Sequence, residues 1–253
     1  MTNNSFNVTS VLAVGASGSI GRHVVAQSLA SGLETTALVR RADQQSLFPD
    51  GVRIAVADPT RPEGLAQALQ GVNGIVFTQG TMSAEQAEAV DYDIVRNVLA
   101  ALDHPARIAL MTVVGVTKWE RSVWKRRSER LVRASGLPYT IVRPGWFDYN
   151  EPDQHRIVMR QGDTHLTGGP ADGQIARAQI AEVLLASLNS PEADHKTLEL
   201  VADKGQAPYD LAPLFAGLAS DSGVDGALDP TNLPVGSEPE TVQTELAVAR
   251  SRF

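Results

Sequence analysis

Gly15, Gly18 and Gly21 stand three residues apart, between an apolar run and a helical pattern. Val11–Val14 reads as a strand, and Ile20, Val24, Val25 and Leu29 recur at helical spacing up to Gly32. A strand, a tight glycine turn and a helix N-terminus in that order make a pyrophosphate site. The glycines let the chain turn sharply and let phosphate oxygens come close. The first N–H groups and the positive dipole end of the helix then face the anion. Gly15, Ser17, Gly18, Ser19, Ile20 and Gly21 are therefore candidate cofactor-binding residues. The alternative is a glycine turn with no ligand.

Arg40 and Arg41 end the next strand pattern, about 20 residues after the turn. A dinucleotide site built for an unphosphorylated ribose places an acid there. Two guanidiniums instead suit a 2′-phosphate, which predicts NADP rather than NAD as cofactor. The alternative is a solvated basic turn. Thr78, Gln79 and Gly80 follow the fourth strand, where the chain of such a fold passes the cofactor ribose.

The elements that must position these residues alternate along the chain. Strands are predicted at 8–14, 35–39, 52–56, 74–77, 107–112, 139–143, 156–160 and 197–201. Helices are predicted at 19–31, 63–69, 84–102, 120–134, 175–188 and, short, at 240–249. The expected fold is α/β, a doubly wound parallel Rossmann sheet with a small C-terminal substrate-side region. A single NAD(P)-binding domain would span 1–215, with 146–173 and 175–203 on the substrate side. Residues 216–253 are expected to form an extended or mobile tail.

Composition limits the function classes. The 253 residues are 43% hydrophobic and 20% charged, which suits one α/β domain. A formal net charge of −7 argues against nucleic acid as a partner. The absence of cysteine excludes disulfides, thiolate catalysis and cysteine-ligated metals. The histidines show no metal-ligand spacing. No apolar stretch approaches a membrane span, and the first seven residues lack the regions of a secretory signal. A cytoplasmic protein with a small-molecule substrate is expected, with a homo-oligomer or a protein partner left open.

Four motifs carry a family resemblance. They are Gly15-Ala-Ser-Gly-Ser-Ile-Gly21; Leu38-Val-Arg-Arg41 with Ala57-Asp58; Trp124 through Gly145; and Ile175-Ala-Arg-Ala-Gln-Ile-Ala-Glu182-Val. Together they resemble the atypical short-chain dehydrogenases, and most of all the small NAD(P)-binding proteins of the NmrA-like group. The resemblance implies that Asp58 lies beside the adenine. It implies that Thr112 points at the nicotinamide and that Lys125 bonds the nicotinamide ribose, which makes both candidate catalytic residues. Pro144 and Trp146 would pass the nicotinamide end, with Phe147 and Tyr149 able to wall an apolar pocket beside it. Each has a structural alternative: a turn at Asp58, a strand residue at Thr112, an exposed lysine at Lys125, core packing at 144–149. Glu129 and Arg133 read as a helix-face pair at i, i+4.

One departure matters most. Active members of this superfamily place a Tyr four residues before the Lys, as proton donor. Arg121 stands there instead. His155 and Asp153 are the spare donors in the presumed substrate loop. Two functions follow: an oxidoreductase acting on a small carbonyl or quinone-like substrate without that Tyr, or a non-catalytic NADP(H)-binding redox sensor.

Overall fold

Residues 7–252 are described by the computed structural model; residues 1–6, part of the stretch read above as lacking a secretory signal, lie outside the described residues. Six strands run parallel: β1 (Ser10–Val14), β2 (Glu34–Val39), β3 (Arg53–Val56), β4 (Gly74–Phe77), β5 (Arg107–Met111) and β6 (Tyr139–Pro144). Beyond them come β7 (Trp146–Phe147), β8 (Arg156–Arg160), β9 (Gln174–Ile175) and β10 (Lys196–Asp203). The order is β3-β2-β1-β4-β5-β6-β10-β9-β7, with β8 also on β10. The sheet is mostly rather than wholly parallel, because β8 and β9 run antiparallel to β10. These two strands come from the segment between β6 and β10 and extend the sheet beyond β10.

The inner strands are apolar runs because both faces are covered. Val11 and Ala13 face one core with Val24, Val25, Ile180 and Leu184, from helices α1 (Gly21–Ala30) and α5 (Arg177–Leu188). Leu12 and Val14 alternate to the other face. That core draws on α2 (Leu65–Ala68), α3 (Ile94–Ala101) and α4 (Val123–Ala134) through Leu65, Val95, Val98 and Leu131. The chain order reverses between β1 and β4, so the crevice outside their carboxyl ends is where a ligand of this architecture binds. None of the described helices is long and apolar enough to cross a membrane.

Two predicted helices begin differently. The 84–102 segment opens as a turn, winds as a π-helix over Glu88–Asp93 and becomes α-helical at Ile94. The 120–134 segment starts with a 3-10 turn, Glu120–Ser122.

The tail continues through α6 (Ala212–Ala216) and an irregular strap to α7 (Glu240–Arg250), which buries Val242 and Leu246 against the α4 side. The strap runs through bends and turns, with a 3-10 turn at Val235–Ser237, and charge ties it down. Arg130 bonds Asp225 and Glu238, both at 2.8 Å; Arg133 reaches Asp221 at 3.2 Å; Arg143 grips Asp229 at 2.6 and 2.7 Å. Beneath it lies Glu129, fully buried, accepting from Arg143 (2.9 and 2.6 Å), Arg133 (3.2 Å) and the Thr112 hydroxyl (2.7 Å). Burial works against the charge of Glu129, but Arg143 and Arg133 outweigh it and hold the carboxyl below its ordinary value.

Glu199 on β10 sits at the edge of this cluster, 3.9 Å from Arg143, and accepts the Asp163 N–H at 3.1 Å. Burial pushes its carboxyl up to about 7, which Arg143 only partly opposes. Between the ordinary value of 4.5 and about 7 the native state therefore holds a proton that the unfolded chain releases. Stability is expected to fall as pH rises through that window, by roughly 3 kcal/mol from this group. Glu199→Gln keeps the acceptor oxygen and removes the titration. Urea unfolding midpoints taken from about pH 5 to about pH 8 should flatten in the variant; profiles parallel to wild type would refute the assignment.

Candidate functional site

The glycine turn closes on itself. Gly15 has φ +81°, and a Cβ there would lie 2.6 Å from the Gln79 nitrogen. A Cβ on Gly21 would lie 2.2 Å from the Gly15 carbonyl oxygen. Both glycines are thus required by the turn itself. Gly18 differs: it is exposed, and its Cβ would meet only that same oxygen, at 3.1 Å. The space over Gly18 opens outward, in front of the first turn of α1. Ser17 and Ser19 flank it, while the Ile20 side chain is buried in the core, leaving only its backbone for a ligand. Gly18→Val is expected to abolish binding of a pyrophosphate-containing cofactor while the fold survives. Calorimetric titration checks this; unchanged affinity would remove the turn from the site.

At the end of β4, the Thr78 hydroxyl donates to the Val14 carbonyl at 3.1 Å and so serves the sheet. The Gln79 side-chain oxygen is buried and has no hydrogen-bond partner among the described residues. A buried acceptor left open beside a glycine turn fits the hydroxyls of a nucleotide ribose. Gly80 is exposed and leads to the next pair: a Cβ on it would lie 3.7 Å from Lys125 Nζ and 3.8 Å from an Asp91 oxygen.

Lys125 projects from α4 and forms an ion pair with Asp91 of the π turn. Asp91 also accepts the Thr81 N–H at 3.3 Å. Burial raises the Asp91 carboxyl above its ordinary value, with Lys125 pulling the other way. Thr112 is placed differently from the resemblance. Its hydroxyl is held by Glu129 and the residue is buried, outside the lining of the neighbouring pocket.

That pocket, about 240 Å³, opens beside Lys125. Met82, Val113, Val114, Trp119, Trp146 and Phe147 form its wall, and Arg121 and Lys125 bring the charge. It is slightly smaller than most ligand pockets and has their usual make-up, an apolar lining with few polar groups. Pro144 is buried at the end of β6, and Tyr149 packs edge-on against Trp146 at 6.2 Å. His155 and Asp153 lie elsewhere, beside Gly205 and Lys204 at the far end of β10, so neither is a donor for this pocket.

On the adenosine side, Arg40 and Arg41 are exposed after β2. Arg41 already pairs with Asp43 at 3.0 Å, which leaves Arg40 the better placed for a phosphate. Asp58 accepts from the Thr60 N–H and hydroxyl at 3.1 and 2.8 Å, making a local turn. Asp91 and Trp119 carry no motif signal, and Arg177 stands within the Ile175–Val183 motif with no role assigned to it by sequence. Arg177 bonds the Ser19 hydroxyl at 3.0 Å and pairs with Asp148, joining the glycine turn to the segment after β6.

The NAD(P)H-binding family matches residues 15–191. The chain belongs to the NAD(P)H-binding family. That membership is consistent with the atypical short-chain dehydrogenases that its motifs resemble. Relatives include Protein TIC 62 of Pisum sativum, a chloroplastic protein 25% identical over an alignment of 235 positions that covers 76% of this chain. The match spans only 43% of that longer relative. An uncharacterized chloroplastic protein of Arabidopsis thaliana, At2g34460, is 30% identical over 247 residues, covering 85% of this chain and 84% of the relative. The photosystem II assembly factor Ycf39 of Trieres chinensis is 25% identical, covering 84% and 70%. Among solved structures, the oxidoreductase ylbE of Lactococcus lactis superposes with a TM-score of 0.67 at 15% identity, covering 84% of this chain and all of that one. The anaerobillin reductase ChuY of Escherichia coli O157:H7 gives 0.61 at 22%, covering 79% and 100%. These structural likenesses bear on the fold.

Proposed function

We propose that this protein is an NADP(H)-dependent oxidoreductase that reduces a small conjugated acceptor, a quinone-like compound or an activated carbonyl. The observation that carries the reading is the aromatic-walled pocket opening directly beside the Lys125–Asp91 pair and Gly80. The cofactor supplies hydride from the nicotinamide when bound. The chain's residues do the rest. The turn at Gly18 and the N-terminus of α1 hold the pyrophosphate, and Gln79 accepts from a ribose hydroxyl. Lys125 Nζ bonds the ribose and offers a proton to the acceptor oxygen. Asp91 fixes Lys125 from behind. Trp119, Trp146 and Phe147 pack the acceptor's body and exclude water. With Arg121 in the Tyr position, no strong neutral acid faces the acceptor, so acceptors whose reduced form is stabilised by conjugation are favoured over simple ketones. NADPH oxidation against aldehydes, ketones, quinones and flavins tests this. Turnover of simple ketones at rates equal to quinones would contradict it.

Cofactor choice rests on Arg40 and Arg41. A hydrogen bond to a charged group contributes about 1.5–3 kcal/mol. Arg40→Ala is expected to weaken NADPH about tenfold and NADH much less, and Arg41→Ala to do less, because Arg41 already pairs with Asp43. Equal losses for both cofactors would move the 2′-phosphate elsewhere.

A second reading, a redox sensor that binds NADP(H) without turnover, is favoured by one observation: the Thr112 hydroxyl is committed to Glu129. Tight NADPH binding with no turnover of any acceptor would select it. The Ycf39 relative, named an assembly factor, is consistent with such a role.

A further inference from the structure

The arginines of the α4 region are unusual in a chain of net charge −7. Arg126 lies 3.5 Å from Asp225, and Arg127 2.8 Å from Glu238. Arg130 pairs with Asp225 and Glu238, and Arg133 with Glu129 and Asp221. In the pocket itself, Lys125 is matched by Asp91. Arg121 is the exception. Its guanidinium carbon sits 4.4 Å from the centre of the Trp119 ring, at the pocket wall, and among the described residues it has no carboxylate partner. Stacking on an indole restrains a guanidinium while leaving its in-plane N–H donors available. A restrained cation with open donors, beside an apolar wall and without a counter-charge, is the arrangement that binds a carboxylate or phosphate on an otherwise apolar molecule.

We propose that Arg121 is the anion-binding residue of this pocket, and that the acceptor is a flat apolar ring system bearing a phosphate or carboxylate. This rests on the oxidoreductase reading for the word acceptor, but the binding claim stands on the pocket alone. The ring lies against Trp119 and Trp146, near Lys125, while the anionic arm reaches the mouth and pairs with Arg121. The residue in the place of the missing Tyr therefore selects the substrate instead of protonating it.

The test uses two probes with one ring system, FMN and riboflavin, which differ by the phosphate. Dissociation constants are measured by ultrafiltration with the full chain saturated with NADP+, so that the phosphate cannot enter the cofactor site. Wild type should hold FMN about tenfold more tightly than riboflavin. Arg121→Gln should bring the two together by weakening FMN, with riboflavin unchanged, and Arg121→Lys should keep part of the preference. Melting curves confirm that the exposed substitution leaves the fold intact. Equal affinities in wild type, a preference that survives Arg121→Gln, or failure of both probes to bind would each overturn the proposal. An Arg121-dependent preference without NADPH oxidation by FMN would uphold the anion site and remove flavins from the acceptors.

Discussion

Replacing Glu129 with Ala is expected to remove about 3–5 kcal/mol of folding stability, the loss typical of breaking a buried ion pair from one side. Glu129 is the shared counter-charge of Arg143 and Arg133, and all three are fully buried at their side chains. Without it Arg143 keeps Asp229 and Arg133 keeps Asp221, while the Thr112 hydroxyl loses its acceptor. Typical domains have only about 5–15 kcal/mol in hand, so the variant should be marginal. Glu129→Gln, which retains one acceptor oxygen, should cost less. Urea denaturation decides: a loss under about 1 kcal/mol for Glu129→Ala would show that the cluster relaxes and that the strap is not held through it. Acid should weaken the same cluster. Burial opposes the charge of Asp229, but Arg143 outweighs it and holds the carboxyl at about 2. Its contribution is present above the unfolded value near 3.8 and is lost as pH falls through that interval.

Lys125→Met should have the largest effect on turnover, about 100-fold or more, the lower end of what a positioned proton donor supplies. The single substitution also leaves Asp91 buried without a counter-charge. Lys125→Met with Asp91→Asn removes both charges and separates the effects. If the double variant is stable and equally slow, the loss belongs to the lysine's chemistry. If it recovers wild-type rates, Lys125 acts only as the partner of Asp91. Affinity for NADPH should fall modestly in both, through the lost ribose contact.

The framework of the fold was readable from sequence because it is local. The strands at 74–77 and 156–160 fall where their apolar or β-branched runs place them, and the crevice follows from the glycine turn. What escaped is non-local or sterically subtle. Glu129–Arg133 has the spacing of a surface helix pair, yet it is buried, because its other partners Arg143 and Asp221 come from β6 and the strap. The acids at 221, 225, 229 and 238 look like a solvated tail, since the arginines that hold them lie about a hundred residues earlier. Asp91 gives no signal because it is one of three acids in its turn, with Glu88 and Asp93, and only the fold brings it to Lys125. Thr112 was placed at the nicotinamide by resemblance alone; the strand end is where expected, but its hydroxyl turns to Glu129. Likewise, position 121 shows in sequence only the Tyr it lacks, because its stacking on Trp119 is a contact that the fold makes.

Hydride transfer from NADPH to a conjugated acceptor held beside Lys125 is the step on which the proposed function depends. It is tested most directly by mixing NADPH-loaded protein anaerobically with a naphthoquinone and following the nicotinamide absorbance in a single turnover, with protium or deuterium at the transferable position. The expected result is a first-order loss of absorbance that deuterium slows and that Lys125→Met slows further. A nicotinamide signal that stays constant with both ligands shown to be bound would contradict it.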